Sequence, residues 1–196
     1  MDLVTAYRRG LAGFTDRVAQ VRPDQWAGPT PCTDWDVRTL VNHLAGEDLW
    51  TAPLLDGATI AEVGDRFDGD LLGDDPVASV TAAARQADAA VTEPGVLERT
   101  VHLSFGDAPA PEYLYQMLAD HLVHAWDLAV AIGADPRLDS DAVDMCASWF
   151  ADREDMYREA GVIGPRVPVP ESAGTQDRLI AAFGRDPEWA PQPRAG

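Results

Sequence analysis

Lysine is absent from this chain of 196 residues, and all fifteen basic side chains are arginine. That excludes a lysine Schiff base, pyridoxal-phosphate attachment and a Walker-type phosphate loop. Cysteine is nearly as scarce: Cys32 and Cys146 cannot make a disulfide framework, so a reducing cytoplasm is the expected compartment. No apolar run approaches the ~20 residues that span a bilayer. The opening segment Met1–Arg9 lacks the basic start and apolar block of a signal peptide. No G-x-G-x-x-G follows a strand-like run, and none of the five serines lies in G-x-S-x-G, which argues against a nucleophile-elbow hydrolase. Positive charge is short overall, leaving a net charge of −18. A nucleic-acid partner needs a basic surface to neutralise phosphates, so none is expected, and an anionic membrane surface is disfavoured for the same reason.

What is present reads as helix. The length suits one hydrophobic core. Leu3, Val4, Tyr7, Leu11, Phe14, Val18 and Val21 recur at helical spacing, and Arg22-Pro23 ends that helix. After a Gly/Pro loop, Thr33-Asp34-Trp35-Asp36 offers an N-cap for a second helix, expected to stop near Thr51 because of Pro53. Residues 56–75 read as a long loop with one helical turn. Residues 76–92 form an alanine-rich helix opened by Pro76, and 99–106 could be a brief extended segment with no partner. Pro109–Gly133 is the longest predicted helix, and another spans roughly 140–160. A short amphipathic piece from Thr175 to Phe183 and a proline-rich tail follow. The expected fold is all-α: a helical bundle over residues 1–160, with a C-terminal extension, 161–196, packing on it.

Three of the four histidines fall on two of these helices. His43 lies at the edge of the stripe formed by Val37, Leu40, Val41 and Leu44, one turn before Glu47. Asp120 and His124, four residues apart on the long helix, sit one above the other beside its apolar stripe. A carboxylate and an imidazole at i, i+4 with an imidazole from a facing helix make a sensible three-ligand set, and three protein ligands leave a position open for water or substrate. Alternatives stand beside it. His121 could pair with His124 at i, i+3, Asp127 could orient an imidazole instead of binding an ion, and the histidines could be purely structural. Cys32 precedes a helix N-terminus, but a free cysteine is more often a buried hydrophobe, and burial is the expectation here.

Two longer motifs carry a resemblance. Thr30-Pro31-Cys32-Thr33-Asp34-Trp35-Asp36-Val37-Arg38-Thr39-Leu40-Val41-Asn42-His43-Leu44 and Asp120-His121-Leu122-Val123-His124-Ala125-Trp126-Asp127-Leu128-Ala129 together resemble the metal-binding domain of the mycothiol-dependent maleylpyruvate isomerase family, within the wider DinB-like helical bundles. The segment Asp177–Trp189 further resembles an uncharacterised actinobacterial subgroup of that superfamily. The resemblance implies a four-helix bundle holding a zinc-like ion on His, Glu and His, which fall here on His43, Asp120 and His124. Aspartate thus stands where the family has glutamate, one methylene shorter, so either the helices approach more closely or His121 substitutes. Family isomerases also carry a C-terminal α/β domain that helps form the thiol site, whereas residues 161–196 are all that follows the bundle here.

The functional expectation is a divalent-metal-binding protein, with zinc the leading ion. It would be an enzyme using a low-molecular-weight thiol such as mycothiol, of transferase or isomerase type. Glu47 could serve as general base or as hydrogen-bond acceptor for His43, or be an ordinary surface acid. The alternative is a non-catalytic metal-binding sensor or interaction module. The expected partners are a small-molecule thiol or electrophile, with no nucleic acid, no membrane, and a homodimer left open.

Overall fold

A computed structural model of the chain describes residues 1–191; the last residues of the proline-rich tail lie outside the described part. Helix α1 spans Leu3–Val18, and the Asp2 carboxylate accepts a hydrogen bond from the Thr5 amide at its start. Helix α2 spans Val37–Leu55, with Asp36 as the capping residue of the Thr33–Asp36 segment. A single turn, α3, covers Ile60–Val63 inside the predicted loop. Helix α4 spans Pro76–Val91, opened by Asp75 and by Pro76 in the first turn, where a missing amide hydrogen costs nothing. Strands β1 (Thr100–Leu103) and β2 (Gly106–Pro109) form an antiparallel hairpin leading into α5, Ala110–Ile132. Helices α6 (Ser140–Phe150), α7 (Glu154–Glu159) and α8 (Thr175–Ala182) complete the described chain.

The architecture is the expected all-α bundle. Helices α1 and α5 pack together, as do α2 and α4, and contacts of α1 with α4 and of α2 with α5 close the ring. Leu40, Leu44, Leu114, Leu118 and Leu128 are fully buried between them. Outside this ring, α8 packs on α6, which lies against α1 and α5; Phe150 and Phe183 stack at 4.1 Å between centroids. The route through α8 returns the chain to the end of the bundle where the histidines lie, with Arg185 meeting Asp127.

Four sequence expectations differ from the structure. Helix α1 ends at Val18 instead of running to Val21, with two turn hydrogen bonds, Gln20 N to the Arg17 carbonyl and Val21 N to the Val18 carbonyl, winding down the last turn. Helix α2 runs through Pro53 to Leu55. Pro53 cannot donate to the Leu49 carbonyl, but buried Thr51, Leu54 and Leu55 hold the last turn, and the Ala58 amide closes it on the Pro53 carbonyl. The extended segment is not alone: Val101 pairs with Ala108, both facing the core, and the turn uses Gly106 at φ 125°, a conformation side chains disfavour. The predicted 140–160 helix is broken after Phe150. There Arg153 turns back to donate to the Trp149 carbonyl and to grip Glu112 with Nε at 3.0 Å and Nη2 at 3.0 Å. Among the described residues, no helix is long and apolar enough to cross a membrane.

Candidate metal-ligand cluster and its cavity

Helix α2 and helix α5 run side by side, so His43 on one meets Asp120 and His124 on the other. His43 Nε2 lies 3.1 Å from Asp120 Oδ2, and His124 Nε2 lies 3.3 Å from Asp120 Oδ1. One donor atom from each of the three residues falls within 4.8 Å of the others. The shorter aspartate side chain therefore reaches both imidazoles. Burial pushes the Asp120 carboxyl upward, but the charge and hydrogen bond of His124, then those of His43, outweigh it and hold the group well below the usual carboxylate range. Burial likewise disfavours the charged form of His124, and Asp120 and Asp127 reverse this, raising it well above an ordinary imidazole.

His124 is fixed from behind. Its Nδ1 lies 2.9 Å from Oδ2 of Asp127, which is fully buried and meets Arg185 Nη2 at 3.1 Å. Asp127 thus orients the imidazole and leaves Nε2 facing Asp120, the arrangement that commonly supports a ligand histidine. Burial raises the Asp127 carboxyl, while the His124 hydrogen bond and the Arg185 charge bring it below its ordinary value. Cys32 joins here: its Sγ lies 3.4 Å from Asp127 Oδ2 and accepts from Arg185 Nη2 at 3.0 Å. Cys32, His124 and Asp127 form a second close group of donors. The guanidinium beside the sulfur and carboxylate already balances that group, which leaves His43, Asp120 and His124 as the better place for a cation.

His121 is separate from this cluster. It is fully buried, with Nε2 at 2.9 Å from Asp48 Oδ1 and Tyr7 packed edge-on at 5.3 Å. It pairs with Asp48 in the core, away from the close group of His43, Asp120 and His124 donors. Cys32 departs from the expected burial: it is half-buried on the wall of a cavity, because Arg185 and Asp127 give its thiol polar neighbours. Trp35 and Arg185 were not singled out from the sequence. Trp35 covers both imidazoles, with ring centroids 4.8 Å from His43 and 5.6 Å from His124. Trp35 and Arg185 both lie in segments that carry the family resemblance, the first in residues 30–44 and the second in residues 177–189, but Arg185 joins Asp127 only through tertiary packing.

The cluster opens onto a cavity of about 900 Å³, large for a small-molecule site. Glu47 shares this wall, with Oε1 3.9 Å from His43 Nδ1. Burial, then the nearby Asp120 charge, raises its carboxyl above the ordinary value.

A helical bundle that gathers two imidazoles and a carboxylate beside a ligand-sized cavity defines the class of protein. The chain belongs to the mycothiol maleylpyruvate isomerase N-terminal domain family, whose profile matches residues 7–129. Two uncharacterized proteins of Mycobacterium tuberculosis, one from strain CDC 1551 and one from strain H37Rv, are each 32% identical over 191 residues, covering 94% of this chain and 98% of theirs. Crystal structures of the mycothiol-dependent maleylpyruvate isomerase and of a histidine-to-alanine mutant of it each superpose with a TM-score of 0.59, over 76% of this chain and 70% of theirs. Their identity to this chain, 15% and 14%, makes that likeness one of fold, the DinB-like helical bundle.

Proposed function

We propose that this protein is a divalent-metal-dependent enzyme that uses a low-molecular-weight thiol such as mycothiol for group transfer or isomerisation. The observation that carries the reading is the convergence of His43, Asp120 and His124 at the wall of a ligand-sized cavity. Two imidazoles and a carboxylate suit zinc, and three protein donors match a site with an open position. A bound ion would lower the pKa of a coordinating thiol, supplying a thiolate at neutral pH.

The chain's own residues do the rest. Asp127 holds the His124 ring and its tautomer, and Arg185 balances the Asp127 charge. Trp35 packs on the two imidazoles and limits water at that side. Glu47, raised toward its neutral form, is placed to exchange a proton with a ligand in the cavity. In this reading residues 1–160 carry the ion's ligands, and the extension, 161–196, adds Arg185 behind them. Membership of a family named for a mycothiol enzyme supports the thiol as co-substrate.

Calorimetric titration of zinc-loaded protein with mycothiol, alongside turnover on a panel of electrophiles, tests it. Saturable thiol binding and thiol-dependent turnover are expected. Absence of both thiol binding and turnover would overturn the reading.

A further inference from the structure

The cavity walls are strongly apolar and offer little free positive charge. Trp35, Trp50, Tyr113, Met117, Trp149 and Phe183 all line it. At its surface, Ile60, Phe105, Met156 and Val162 are large apolar side chains left exposed, and Phe105, in the β1–β2 turn, is 71% exposed. Single exposed apolar residues are ordinary, but four around one cavity mark a surface that takes an apolar ligand.

The charged groups on the same walls point the same way. Among the described residues Arg185 is the one arginine there, and its guanidinium is committed to Asp127, to Cys32 Sγ and, through Nη1, to the Phe183 carbonyl at 2.8 Å. Glu112 is held by Arg153 and by Trp149 Nε1 at 3.1 Å. Glu47 and Asp120 are further acids on the wall. A carboxylate entering this space away from the His43, Asp120 and His124 donors would lose its hydration, meet acids, and find no uncommitted arginine among the described residues; an ion on those donors could take one carboxylate, leaving the second of a dicarboxylate without a partner.

We infer that the cavity takes an uncharged, mainly apolar molecule as the electrophile, and that a dicarboxylate such as maleylpyruvate is not its substrate. The word electrophile rests on the proposed thiol-enzyme reading; the preference for neutral apolar ligands stands on the walls alone.

The test is displacement of the neutral fluorescent probe N-phenyl-1-naphthylamine from the full chain, zinc-loaded and chelator-treated, by methyl 2-naphthoate or 2-naphthoate. These two competitors share a ring system and differ in charge. The ester is expected to displace the probe from both forms, and the carboxylate to compete about ten-fold or more weakly for the chelator-treated form. Phe105→Ser, at an exposed position that leaves the core intact, is expected to weaken ester binding, and Gln116→Trp, at a half-buried position on the cavity wall, to abolish it by filling the space. Equal or stronger displacement by the carboxylate from the chelator-treated form would overturn the inference, as would ester binding that neither folded variant changes. Ester preference without retained zinc or thiol turnover would sink the proposed function and leave this inference standing. Thiol-dependent turnover of a dicarboxylate would do the reverse.

Discussion

Asp120 Oδ2 lies 3.1 Å from His43 Nε2, joining two helices through residues 77 positions apart in sequence. The other carboxylate oxygen faces His124, so one aspartate touches both imidazoles. Behind it, Asp127 and Arg185 hold the second imidazole in place. The site is therefore two-layered, with donors at the cavity and a buried ion pair behind them.

Asp127→Asn keeps a hydrogen-bond acceptor for His124 but leaves Arg185 without its charge partner. Zinc affinity is expected to fall about 10- to 100-fold, read by competition with a chromophoric chelator. Unfolding in urea should show a loss of about 3 kcal/mol, since one half of a largely buried ion pair is stranded. Unchanged zinc affinity would contradict the role given to Asp127.

Glu47→Gln removes the proton-exchanging group beside His43 while leaving the three donors in place. Zinc content is expected to stay the same while thiol-dependent turnover falls about 100-fold. Joint loss of zinc and turnover would make Glu47 a support of the ligand set instead.

The two cysteines should part company on alkylation. Cys146 is fully buried in the α6–α8 core, and burial pushes its thiol up to about 12. Cys32 is on the cavity wall. Iodoacetamide on native protein, followed by mass spectrometry, should label Cys32 and spare Cys146 until the chain unfolds. Equal labelling of both would contradict the packing of α6 against α8.

Much of the fold was legible because its apolar residues recur at helical spacing. The hairpin was not, since Gly106-Asp107-Ala108-Pro109 has no residue that favours a strand; its pairing depends on Val101 and on the core behind it. Pro53 read as a stop because local chemistry penalises it, while tertiary burial of Leu54 and Leu55 carries α2 past it. At the site, helical spacing put Asp120 and His124 side by side, but could not choose between Asp120 and His121. In the structure Asp48, fully buried on α2, pairs with His121 in the core, and Asp120 is the one that meets His43 and His124. Cys32 and Arg185 meet across 153 positions, and no spacing rule reports such a contact.

The α1–α5 contact depends on a small residue. A Cβ at Gly10 would come within 3.2 Å of Leu118 Cδ1 and 3.4 Å of His121 Cβ. Gly10→Val is expected to destabilise the protein by about 1–3 kcal/mol in urea unfolding, because a branched side chain must push the helices apart. A neutral or stabilising result would contradict the close approach of α1 and α5.

Acid should loosen α7 from the segment that follows it. Glu154 accepts from both Arg158 and Arg166, and these hydrogen bonds, Arg166 first, hold its carboxyl below the ordinary value. A carboxylate with a lowered folded pKa contributes stability above its ordinary value near 4.5 and loses it as pH falls through the lowered one. Glu154→Gln should cost about 2 kcal/mol at neutral pH and flatten the acid limb of the stability profile. An unchanged acid limb would show that Glu154 is unpaired in solution.

The most direct measurement is the metal content of untagged protein by mass spectrometry, for the native chain and for His43→Ala. The account predicts close to one zinc per chain in the native protein and loss of the ion in the folded variant. Native protein without metal, or a variant that keeps it, would contradict the assignment of His43, Asp120 and His124 as its ligands.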